Sequence, residues 1–161
     1  PLTALGREVL EAMAAAGMSL DLAHASPAML PDLLAFRGPL FISHTGVSAE
    51  TRLWRNVGDE VLQGIAAKGG VVGIILAPRY VGGRSLVHVV RHVAHAVRVM
   101  GEDGVVLGSD FDGMIGLADG IVDARDLPKV AQALLAGGLS EAVVDKVCYR
   151  NLDAFFDRTL P

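Results

Sequence analysis

A single cysteine, Cys148, in 161 residues rules out an internal disulfide. Cationic residues are also short: 14 Lys and Arg stand against 18 Asp and Glu, a net charge of -4. With no basic excess to release counterions from a phosphate backbone, nucleic acid is excluded as a partner. No apolar run approaches the ~20 residues that a membrane-spanning helix needs; the longest covers residues 71–78, VVGIILAP. There is no cationic start followed by an apolar stretch and a cleavage site, so the chain reads as cytoplasmic. Residue 1 is Pro rather than Met, which leaves room for a preceding segment that carries a signal or more of the fold. Only 20% of the residues are charged and 52% are hydrophobic, the opposite of a disordered composition. The length fits one domain, residues 1–161.

What is present is an alternation. Strand-like runs occupy residues 18–24 (MSLDLAH), 40–45 (LFISHT), 71–77 (VVGIILA) and 105–110 (VVLGSD). The third run is apolar without alternation, as a strand buried on both faces should be. Helical patterns fill residues 3–16, 28–36, 58–67 and 85–100, and the tail adds helices at 127–136, 140–150 and 151–159. Thr3 and Ser140 are suited to N-caps, Ser26-Pro27 to a cap followed by Pro at the first helical position, and Gly17 to a stop. Strand and helix in turn predict an α/β fold with a parallel sheet. Strand starts at 18, 40, 71 and 105 lie close to the ~31 residues per unit of a (β/α)8 barrel. A small doubly wound parallel sheet fits the same count, and length alone favours it.

Both folds gather functional groups where strands end. His24 closes DLAH, His44 closes FISH and Asp110 closes LGSD. Two imidazoles on neighbouring strand ends can meet one zinc ion, although a lone strand-end His is more often a hydrogen-bonded structural residue. Asp112 and Gly113 suit turn chemistry. His88, His92 and His95 share a helical face, but the residues between them include no carboxylate base. They read as a polar helix face. Arg55, after Trp54, is placed to grip a carboxylate or to sit at the surface. Gly69-Gly70 and Gly82-Gly83 lack the spacing of a phosphate loop. Cys148 reads as a buried small side chain.

The succession DLAH, FISHTG, RNV (residues 55–57) and GSDFDG resembles the C-terminal half of the membrane (renal) dipeptidase family of zinc peptidases. The likeness runs from TALGR at residues 3–7 to Asn151-Leu152. It implies half of an amidohydrolase-type (β/α)8 TIM barrel whose complete site holds two zinc ions bridged by a carboxylate and hydrolyses dipeptides. On this resemblance His24 and His44 correspond to the two histidines of one zinc, at the fifth and sixth strand ends. Asp110 corresponds to the eighth-strand aspartate that handles the proton, Arg55 to the arginine on the substrate's C-terminal carboxylate, and Tyr80 to a substrate-contacting tyrosine. The helical histidines match a helix without a zinc ligand. The family's His-x-Asp pair, its bridging glutamate and a further substrate histidine have no counterpart in this sequence. The resemblance therefore implies a fragment with at most a partial zinc site and a dipeptide as substrate. A half-barrel leaves two sheet edges uncovered, which predicts self-association or pairing with the missing N-terminal half. The rivals are a catalytically silent structural half and an open-sheet binding domain without metal.

Overall fold

The computed structural model describes residues 1–160. It opens on helix α1 (Ala4–Ala15), where the Thr3 hydroxyl accepts a hydrogen bond from the Gly6 amide at 3.1 Å, the expected N-cap. Strand β1 (Leu20–Asp21) follows, then a 3-10 turn (Pro27–Met29) and helix α2 (Leu30–Leu34). Ser26 stands at the cap of that turn, but its side chain makes no capping bond. Next come β2 (Leu40–Thr45), α3 (Asp59–Ala66), β3 (Val71–Ile74), a four-residue helix α4 (Pro78–Val81), α5 (Leu86–Met100) and β4 (Val105–Leu107). A 3-10 turn (Ala124–Asp126) leads to α6 (Leu127–Ala136), α7 (Glu141–Asp145) and α8 (Asn151–Thr159).

All four strands are parallel and lie in one open sheet in the order β1-β2-β3-β4. A doubly wound sheet reverses its strand order at a switch point. This sheet never does, so the doubly wound alternative is corrected in favour of barrel-type winding. Strand β2 fills its run, whereas β1, β3 and β4 are shorter than theirs because those runs continue into the loops that leave the sheet.

The hydrophobic pattern explains the layers. Leu40, Ile42, Val72, Ile74 and Val105 are buried on one face against Leu62 and Ile65 of α3 and Val89 and Val93 of α5. All four residues of β3 are buried, as its unalternating sequence predicts. The other face begins with Phe41, Val71 and Val106 at the strand starts, where Phe155 of α8 covers them. The Phe41 and Phe155 rings sit 5.7 Å apart at 54°. Arg158 adds a hydrogen bond to the Gly69 carbonyl at 3.1 Å, so the last helix lies across the N-terminal edge of the sheet.

The two helices predicted for residues 140–150 and 151–159 are one path. A π turn (Lys146–Arg150) joins α7 to α8, and buried Asn151 donates to the carbonyls of Glu102 and Val105 at 2.7 and 2.8 Å. Asn151, the first residue of α8, thus fastens the start of β4. Helix α1, by contrast, has no buried residue. It is held by Arg7 and the Leu2 amide, both on Asp32, and leaves Leu5 and Val9 exposed.

Candidate metal and substrate site

At the C-terminal edge of the sheet, β2 spends one residue more than β3. Ile42 pairs with Val72, yet Thr45 pairs with Ile74. A bulge of this kind re-aims a side chain, and here it brings the neighbours Ser43 and His44 to one side, with Ser43 Oγ 3.0 Å from His44 Nδ1. The chain makes room with glycine. A Cβ at Gly73 or Gly108 would collide with the Ser43 carbonyl oxygen.

His24 enters from β1. Asp21 Oδ1 accepts from the amides of Ala23 and Ser43 at 2.9 and 3.0 Å, tying the end of β1 to β2. His24 then takes a left-handed backbone, φ 65°, and its Nε2 stands 2.9 Å from His44 Nε2. The rings meet edge to face at 4.9 Å. Asp110, beyond β4 at φ 56°, places Oδ2 3.9 Å from His44 Nε2. The other non-glycine residues with positive φ among those described are Asp112 and Met114, in the same loop as Asp110. Each such residue costs on the order of 1–3 kcal/mol. Their concentration at two strand ends marks a place where the fold overrides local preference.

Arg55 lies in the loop between β2 and α3. Its guanidinium contacts His24 Nδ1 and lies 5.3 Å from the Trp54 ring centroid and 6.0 Å from that of Tyr80. Tyr80 rides on α4, the short helix that the sequence did not announce. His24, His44, Trp54, Arg55 and Tyr80 line one cleft of about 870 Å³. Asp110 is not among its lining residues. The structure therefore brings all five sequence-predicted side chains to one edge of the sheet and four of them, His24, His44, Arg55 and Tyr80, into one cleft.

The donor chemistry fits a zinc ion in part. Two imidazole nitrogens and a carboxylate are ordinary zinc donors. Ser43 Oγ can accept the Nδ1 proton of His44, which leaves the Nε2 lone pair for a metal. At His24, Nδ1 receives the Arg55 guanidinium, so Nε2 becomes a donor to metal only when Arg55 turns to another acceptor. Among the described residues no group of three or more His, Cys, Asp or Glu side chains is arranged to hold a metal ion.

The polar-face reading needs correction for two of the three α5 histidines, His88 being only partly buried. His92 and His95 are 1% and 6% exposed. The buried arc of α5 is wide enough to take them in beside Val89, Val93 and Ala96. Burial lowers the His92 imidazole from 6.5 to about 4, against the partly opposing charge of Glu50. Asn56 was also missed. It is buried, and its Nδ2 donates to the carbonyls of Thr51 and Tyr80 at 2.8 and 2.9 Å. Cys148 is half-buried, and burial raises its thiol above the ordinary value. No helix among the described residues is long and apolar enough to cross a membrane.

A family model for membrane dipeptidase (peptidase family M19) matches residues 1–156. The chain is 35% identical over 158 residues to an uncharacterized protein in the pqqA 5′ region of Klebsiella pneumoniae, covering 93% of this chain and 58% of that protein. It is 33% identical over 156 residues to dipeptidase tcpJ of Claviceps purpurea (strain 20.1), covering 94% of this chain and 37% of the relative. Among solved structures, a metallo peptidase from Rhodobacter sphaeroides, liganded with a phosphinate mimic of the dipeptide L-Ala-D-Ala, superposes with a TM-score of 0.90 at 32% identity. That match covers 98% of this chain and 47% of the other. The chain thus spans about half the length of the relatives it matches.

Proposed function

Because the chain belongs to the membrane dipeptidase family, peptidase family M19, we propose that it supplies the C-terminal half of the barrel and of the active site of a zinc-dependent dipeptidase. His24 and His44 are the residues of this chain that would hold one zinc ion. When bound, zinc lowers the pKa of its water toward neutrality and polarises the scissile carbonyl. Asp110, beside His44, holds the proton that must reach the leaving amine. Arg55 grips the C-terminal carboxylate of the dipeptide with a bidentate fork, steadied between Trp54 and Tyr80. Residues 1–161 form one unit of the barrel, and the remaining ligands come from its other half.

The observation that carries this reading is the 2.9 Å approach of two strand-end imidazole nitrogens in a cleft shared with Arg55. The phosphinate dipeptide mimic held by the Rhodobacter sphaeroides relative supports a dipeptide as substrate class. The test is hydrolysis of simple dipeptides by the complete enzyme. Chelation should abolish turnover and zinc should restore it; turnover indifferent to chelation contradicts the proposal.

The missing third ligand favours one second reading, a catalytically silent half that self-associates or pairs with the other half. Size-exclusion chromatography with light scattering separates the two. A stable monomer of this chain, with no affinity for the other half, counts against pairing.

A further inference from the structure

Resting on the Arg55 assignment above, we infer that the buried histidines of α5, His92 and His95, are positioning residues that clamp both arms of the loop presenting Trp54 and Arg55. That loop, residues 46–58, joins β2 to α3 and contains no helix or strand of its own. Its arms meet in a short parallel bridge, Val47 to Val57, and through the Asn56 side chain on the Thr51 carbonyl. A connection this long ordinarily samples many conformations unless it is tied down.

The ties come from α5. The Val47 amide donates to His92 Nδ1 at 2.9 Å. Because that nitrogen accepts, the ring proton sits on Nε2 and points to the Thr51 hydroxyl, 3.2 Å away. One turn on, Arg98 donates to His95 Nδ1 at 2.7 Å, so His95 Nε2 is the N–H that donates to Asp59 Oδ1 at 2.7 Å. Residues three apart share a helical face. His92 therefore holds the outgoing arm of the loop while His95 holds its return at the first residue of α3. Between them Asn56 locks Thr51 to Tyr80 through its side-chain amide, next in sequence to Arg55. Arg91 donates to Glu50 Oε2 at 3.1 Å, which adds a polar fastening on the same side of the helix. A leucine in either place would fill the volume and make none of these bonds.

The sole tryptophan of the chain, Trp54, lies in the clamped loop and reports its order without reference to catalysis. The experiment compares His92→Leu and His95→Leu with His92→Asn, which keeps an acceptor near Nδ1, and His95→Gln, which keeps a donor near Nε2. Residual Trp54 anisotropy should fall in the leucine variants with far-ultraviolet circular dichroism unchanged, and it should recover in the conservative pair. In the complete enzyme the leucine variants should raise KM for dipeptides roughly tenfold with kcat nearly unchanged. Unchanged anisotropy in both leucine variants overturns the clamp. Loosened Trp54 with unchanged KM upholds the clamp and overturns the assignment of Arg55 to the substrate carboxylate. If the leucine variants fail to fold, imidazole nitrogen NMR of the unmodified full chain decides. Nε2–H tautomers at His92 and His95 support the clamp, and Nδ1–H tautomers overturn it.

Discussion

His44 reaches His24, Nε2 to Nε2 at 2.9 Å, because β2 inserts one residue between Ile42 and Thr45 relative to β3. Without the bulge, strict alternation would turn His44 toward the face on which Ile42 is buried among the helices. The pairing of the two imidazoles is thus a property of strand register, and register is protected by the glycines that let the neighbouring strands approach.

Gly73→Ala should break that protection. Its Cβ would collide with the Ser43 carbonyl, a backbone atom that cannot swing aside. The expected cost is about 1–3 kcal/mol, read as a lower urea midpoint with an unchanged m-value. A midpoint equal to that of the parent chain would show that the strands are not in contact as described.

Arg55→Lys keeps the charge but loses the planar fork. In the complete enzyme KM for dipeptides should rise roughly 10- to 100-fold, as expected when a charge-assisted pair of about 1.5–3 kcal/mol is lost, with kcat little changed. A pure kcat effect would move Arg55 from substrate holding to another role.

Stability should fall on acidification through His92. The unfolded imidazole takes up a proton near its ordinary value of 6.5, whereas the native one resists until about pH 4 because it is buried. The unfolded state therefore binds more protons between those values. Stability is full above about pH 6.5 and drops as the pH falls, by about 3 kcal/mol at pH 4. His92→Asn, which does not titrate, should lose this component of the urea midpoint's pH dependence. An identical slope in the variant would mean that His92 is not the group responsible.

The parallel order and the edge that carries the chemistry were legible because apolar runs ended in His24, His44 and Asp110 at barrel-like intervals. The bulge at Ser43-His44 was not, since an extra residue leaves no mark in an apolar pattern until two strands are paired. Helix α4 was hidden because four residues are too few to show a period. The α5 histidines show a different limit. Spacing placed His92 and His95 on a common face, but only the packed loop revealed that this face points inward. Asn56 was within the RNV stretch, and its role depends on carbonyls of Thr51 and Tyr80 that the sequence does not bring together.

The central claim is that His24 and His44 together hold the zinc of a dipeptidase. It is tested most directly by elemental analysis and dipeptide hydrolysis on the complete enzyme and its variants. His24→Ala and His44→Ala should each lower zinc content and turnover together. Asp110→Asn should keep zinc and lose turnover by about 10²- to 10⁴-fold, the usual weight of a proton-transfer residue. Full zinc occupancy with undiminished turnover in the two histidine variants would contradict the account.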